Sequence, residues 1–215
     1  AASKKDEPLM ADDPKAVARL QKNLKDLAAT CNSAWARGEL MDHMAPPITF
    51  TWSNSDKPLH SFADLKGNVV VVDFWATWCG PCVAAFPHVR ELVEHYKGYP
   101  VKVIGVTSDQ GFHIARTDEA GAKPERIDCT DDPTKEHELM TGFIKDMDMT
   151  WTVAFSEQNV FNPDFGVRGI PHIAIIDPEG KVRYNMLRPG KLSSDTEKID
   201  GLLKEFKLPA PVAEK

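Results

Sequence analysis

The run from Val69 to Pro87 constrains this chain more than any other. Val69-Val70-Val71-Val72-Asp73-Phe74-Trp75 is apolar without alternation, apart from one acid. β-Branched and aromatic side chains suit a pleated surface, and the absence of alternation predicts a strand covered on both faces. Ala76-Thr77-Trp78-Cys79-Gly80-Pro81-Cys82 then turns the chain, and Val83 onward takes helical spacing. Two thiols therefore stand at the mouth of a helix, where unpaired backbone N–H groups and the helix dipole favour a thiolate. Pro81 fits there because the first helical turn needs no N–H donor. Pro87 removes one later donor and is expected to bend the helix.

A lone pair of cysteines at this spacing is a weak signal, because zinc half-sites share it. Strand, turn and helix agreeing around the pair make it a strong one. Trp78-Cys79-Gly80-Pro81-Cys82 matches the thioredoxin motif residue for residue, and Asp73 and Pro87 stand where thioredoxins carry a buried acid and a helix kink. The order Ala45-Pro46, a short strand, Asp64-Leu65-Lys66-Gly67-Asn68 and Phe74-Trp75-Ala76-Thr77-Trp78-Cys79 resembles the TlpA/ResA-like branch of the thioredoxin superfamily, with its redoxin domain, more than thioredoxin itself. The resemblance covers residues 45–108 and 151–206. It implies an α/β thioredoxin-like fold: a central mixed sheet flanked by helices on both faces. Gly169-Ile170-Pro171 matches the cis-proline loop of the superfamily, with His172 where Thr is usual.

A plain thioredoxin domain accounts for roughly half of the 215 residues. The remainder divides into an N-terminal helical extension, 1–44, an insertion at about 109–150 within a domain spanning 45–208, and a tail, 209–215. Residues 1–12 are polar and expected to be disordered. Asp13 as N-cap and Pro14 at the first position open a helix whose stripe of Val17, Leu20, Leu24, Leu27, Cys31 and Trp35 runs to a stop at Gly38. That stripe is expected to dock on the domain or pair with another chain, with Cys31 an inert buried thiol or a partner for Cys129. Ile48–Trp52 is an expected strand. The active-site helix runs from Val83 to Tyr96 and the next strand, Val101–Thr107, lies parallel to the valine strand. Gly111–Asp132 reads as charged and irregular, Thr134–Asp148 as a helix, and Trp151–Phe155 as a strand. Ile173–Asp177 and Val182–Leu187 form a hairpin, and a last helix runs from Ser194 to Phe206.

Disulfide reduction assigns the parts. Cys79, nearer solvent, is the expected nucleophile, and Cys82 resolves the mixed disulfide. Asp73 is the candidate base, because burial raises its pKa toward neutrality. Trp78, Gly80, Pro81, Ile170 and Pro171 are expected to form the substrate surface, as the family's active-site turn and cis-proline loop do. A zinc site lacks a second ligand pair, and the scattered histidines and methionines have no ligand spacing, so no metal or cofactor is expected. The competing functions are a peroxiredoxin-like peroxidase, against which a partner thiol three residues on in Gly-Pro context argues, and a non-catalytic maturation or metallochaperone module. A net charge of −6 gives no reason to expect nucleic acid or an anionic membrane as partner, and no run is apolar enough to span a bilayer. The expected partners are protein disulfides and an upstream thiol donor. The expected state is a monomer, with a dimer through the N-terminal helix as the other option. The family branch points to the periplasm or cell envelope, with the cytoplasm as the alternative, since the chain itself opens at Ala1 with no signal segment.

Overall fold

The computed structural model describes residues 13–116, 123–190 and 192–211. The valine run forms β2, Val69–Phe74, buried along its whole length. It pairs parallel with β3, Val101–Ser108, and antiparallel with β7, His172–Ile176. β6, Thr152–Ser156, joins β3 in parallel, β1, Phe50–Ser53, joins β6 antiparallel, and β8, Val182–Leu187, closes the other edge against β7. The mixed sheet thus has six strands in the order β1-β6-β3-β2-β7-β8.

Alternation along β2 sends Val69 and Val71 to one face and Val70, Val72 and Phe74 to the other. The first face is covered by α3, Phe86–His95, α4, Pro133–Asp146, and α5, Leu192–Glu205, through Phe86, Phe143 and Ile199. The second is closed by Leu40, Ile48, Phe165 and a single 3-10 turn, Phe62–Leu65, in place of a long helix. Proline breaks the active-site helix as expected, but more sharply than a bend. A short α2, Gly80–Ala84, ends at Ala85, whose N–H turns to the Cys82 carbonyl, and α3 starts afresh at Phe86.

The two additions differ most from their sequence readings. α1, Pro14–Cys31, starts at Asp13 and Pro14 as expected, with the Asp13 carboxylate accepting from the Lys15 N–H at 2.9 Å. It stops seven residues before Gly38, in a Thr-Cys-Asn-Ser segment whose side chains compete for backbone groups. None of its residues is buried, and Leu20, Leu24 and Leu27 are 54%, 57% and 59% exposed. The residues after it do the docking. The Ala34 N–H donates to Asp164 at 2.9 Å, Trp35 lies on Gly166, and Arg168 sits 4.4 Å above the Trp35 ring. Cys31 is therefore exposed rather than buried, and it and Cys129 are both free thiols, so no bridge ties the additions together.

The stretch read as irregular carries a two-stranded antiparallel sheet, β4, Phe112–Ala115, with β5, Glu125–Asp128. Strands of four residues, Phe-His-Ile-Ala and Glu-Arg-Ile-Asp, are too short and too little alternating to leave a periodic signal. The expected disorder of residues 1–12 and the end of the tail lie outside the described residues.

Gly105 of β3 stands opposite Asp73 in the sheet, and two indoles close over it. A Cβ there would lie 2.7 Å from Trp75 Nε1 and 3.1 Å from Trp151 Nε1. Gly105→Ala is expected to overpack this layer and cost about 1–3 kcal/mol, read as a lower midpoint in urea with an altered tryptophan emission.

Candidate active site

β2 delivers the chain to the C-terminal edge of the sheet, where open α/β folds place their sites. Beyond Phe74 the Trp75 N–H still bonds the Val106 carbonyl at 3.1 Å, and the Cys79 N–H turns back to Ala76 at 3.0 Å. Cys79 becomes the N-cap of α2, its Sγ accepting from the Cys82 N–H at 3.2 Å. The two cysteines are joined as a disulfide with Cα atoms 5.3 Å apart. Cys79 is 4% exposed and Cys82 1%, so in this oxidised state Cys79 is only marginally nearer solvent. Gly80 and Pro81 are exposed beside them, and Trp78 is half-buried.

Asp73 continues the Val69–Val71 face toward α3 and α5, the side on which Cys82 is also buried. It is 3% exposed, and its Oδ1 has no hydrogen-bond partner among the described residues. Burial pushes its carboxyl from the ordinary 3.8 up to about 7. A cavity of about 10 Å³ beneath it is also lined by His88 and Asp195, a pair 2.8 Å apart that ties α3 to α5.

The Ile170–Pro171 peptide bond is cis. The Pro171 carbonyl accepts from Arg188 at 2.6 Å, which leaves the backbone groups of Ile170 as the freer ones in this loop. His172 pairs with Phe74 in register and points into the second layer, where Nε2 meets Asn185 Oδ1 at 2.8 Å. The histidine that replaces the usual Thr thus serves the layer opposite Asp73. Burial lowers its pKa, keeping it neutral there.

Residues 41–203 match the family model for redoxin. The chain belongs to the redoxin family. It is similar to the thiol-disulfide oxidoreductase ResA of Oceanobacillus iheyensis, 39% identical over 151 residues that make up 70% of this chain and 64% of that protein. It is also similar to the ResA of Bacillus thuringiensis subsp. konkukian, 29% identical over 119 residues, 55% of this chain and 54% of the relative. The chain thus spans about half the length of that relative. Among solved structures, a protein described as thiol:disulfide interchange protein DsbE from Chlorobium tepidum superposes with a TM-score of 0.52 at 27% identity, over 74% of this chain and 95% of the other.

This redoxin also uses residues that its sequence did not single out. The Trp78 indole N–H donates to Gln110 Oε1 at 3.2 Å, and the Gln110 amide donates to the Ser108 carbonyl and hydroxyl, both at 3.0 Å. Buried Glu136 of α4 accepts from the Gln110 N–H at 3.1 Å and from the Gly111 N–H at 3.1 Å. Burial pushes that carboxyl up to about 7, against the pull of the two N–H donors. From the hairpin, the Ile114 N–H donates to Thr77 Oγ1 and Arg116 Nε to the Thr77 carbonyl, each at 3.1 Å. The insertion therefore grips the two residues before Cys79. The one local hint was the position of Gln110, just past the end of a central parallel strand. Among the described residues no group of three or more His, Cys, Asp or Glu side chains is placed to hold a metal ion, and no helix is long and apolar enough to cross a membrane.

The raised Asp73 value has a sign that can be tested. Between the ordinary 3.8 and about 7 the native state holds a proton that the unfolded chain releases, so this group makes stability fall as pH rises through that window. At about 1.4 kcal/mol per pH unit, Asp73→Asn is expected to gain a few kcal/mol over wild type by pH 8. Little gain is expected at pH 4. Urea titrations of the oxidised proteins at the two pH values check this, and the difference between variants cancels the parallel contribution of Glu136.

Proposed function

We propose that this redoxin is a thiol–disulfide oxidoreductase that reduces or exchanges protein disulfides through Cys79 and Cys82. The observation that carries it is the Cys79–Cys82 disulfide at the start of α2, with unpaired, buried Asp73 on the face of β2 where Cys82 lies. The likeness to proteins named thiol-disulfide oxidoreductase supports the same reading.

In the reduced state the Cys79 thiolate attacks one sulfur of a substrate disulfide. A Cys79–substrate bond forms, and the other substrate sulfur leaves as a thiolate. Asp73, with a carboxyl that titrates near neutrality, takes the proton of Cys82. Cys82 then attacks Cys79 Sγ, the internal disulfide forms, and the second substrate thiolate leaves. Two electrons have passed to the substrate, so an upstream dithiol must return them before another cycle. Trp78, Gly80, Pro81 and the Ile170–Pro171 loop form the surface across which the substrate approaches. We assign the site of action to the periplasm or cell envelope, as for the TlpA/ResA-like branch that the sequence resembles. The working state is a monomer, and the exposed leucines of α1 are the surface a dimer would use.

In the reduced protein, iodoacetamide at pH 7 is expected to label Cys79 much faster than Cys82, and equal rates would contradict the roles. Cys82→Ser is expected to accumulate a mixed disulfide with insulin that wild type resolves. Asp73→Asn is expected to slow turnover of the order of 10²-fold near neutral pH, with first attack by Cys79 less affected. Stopped-flow single-turnover measurements separate the two steps. Consumption of hydrogen peroxide faster than insulin reduction would favour the peroxidase reading instead.

A further inference from the structure

We propose that the groove between the β4–β5 hairpin and α4 is a docking subsite for an extended polypeptide segment flanking the substrate disulfide. This rests on the oxidoreductase reading above. The groove has a volume of about 320 Å³, within the range of sites that hold small ligands or short peptide segments. Phe143 gives it an apolar wall, and both signs of charge line it, with Arg116 and Lys135 against Glu138 and Asp146. A mixed lining of this kind suits the amides and varied side chains of a peptide better than a single anion or a lipid headgroup.

Two observations say that the groove is kept for an occupant. His113 lines it and is 2% exposed, yet its Nδ1 has no hydrogen-bond partner among the described residues. Burial pushes its pKa down to about 4, so the ring is neutral at working pH and carries one donor and one acceptor. A buried polar atom without a partner is costly, and a peptide amide reaching it from the groove would supply one. Gly142 is the second. It lies inside α4, where glycine is unfavourable relative to alanine, and a Cβ there would meet nothing within 4 Å. Its φ is not in the left-handed region that would require glycine. Nothing in the fold asks for this glycine, and what it does is leave the groove open.

The groove is mechanically joined to the dithiol. Arg116, which lines it, donates to the Thr77 carbonyl, and the neighbouring Ile114 N–H holds the Thr77 hydroxyl. Thr77 is two residues ahead of Cys79, so its Cα is at most about 8 Å from that of the nucleophile. A segment seated in the groove therefore lies on the same Arg116 side chain that holds the residue two places ahead of Cys79.

Gly142→Leu fills the groove from a helix position that has room for a side chain. The expected result is a melting temperature no lower than wild type and unchanged rates of Cys79 alkylation and of reaction with the small disulfide DTNB. The KM for insulin is expected to rise five- to twenty-fold with little change in kcat. An unchanged KM for insulin would overturn the proposal, as would equal losses on insulin and DTNB, which would mean that the substitution had disturbed the dithiol itself. A wild-type protein inactive on both probes would instead overturn the oxidoreductase reading.

Discussion

Everything at the active site hangs from the burial of β2 between two hydrogen-bonded neighbours. With β3 on one side and β7 on the other, and both faces covered, the strand has no freedom to shift, because a slip of one residue would send every valine to the wrong layer. The turn that follows inherits this rigidity. Cys79 and Cys82 are fixed at a helix start because the strand before them is fixed. The Ile170–Pro171 loop is fixed at the same end of β2 because it leads directly into β7, where His172 pairs with Phe74.

That same burial sets the protonation of Asp73. A carboxyl in an alternating position of a covered strand must face a covered layer, and among the described residues that layer offers its Oδ1 no donor. The acid therefore keeps its proton well above the usual carboxylate range, and the fold carries a destabilising group at working pH. A strand interior is a poor place for an unpaired acid, and a strongly shifted carboxyl of this kind is the chemistry on which the proposed role of Asp73 rests. The indole N–H groups of Trp75 and Trp151 are likewise unpaired and buried, so this layer tolerates several polar atoms around the site.

The insertion turns a short crossover into part of the site. A crossover between the parallel strands β3 and β6 is required by their direction alone, and a helix is its usual form. This chain adds a hairpin before the helix and then uses both pieces to hold the active-site turn. The hairpin reaches Thr77 directly, and α4 reaches Trp78 through Glu136 and Gln110. Neighbours separated by 25 to 39 residues in sequence thus decide how the lip beside Cys79 is held.

The sequence by itself determined whatever rests on local or periodic chemistry. The unbroken valine run dictated a buried strand, Cys-Gly-Pro-Cys dictated a turn into a helix, and Pro87 dictated where that helix breaks. Asp13 and Pro14 dictated where α1 begins. Each of these follows from a side chain acting on its own backbone or on neighbours within a turn. Only the tertiary structure decided that α1 stays exposed while Trp35 docks, that Cys31 and Cys129 remain apart, that β4 and β5 pair, and that Glu136 and Gln110 support Trp78. Those outcomes depend on partners far along the chain, such as Ala34 with Asp164 and Ile114 with Thr77. Their energies exist only once folding brings them together, so no periodicity records them.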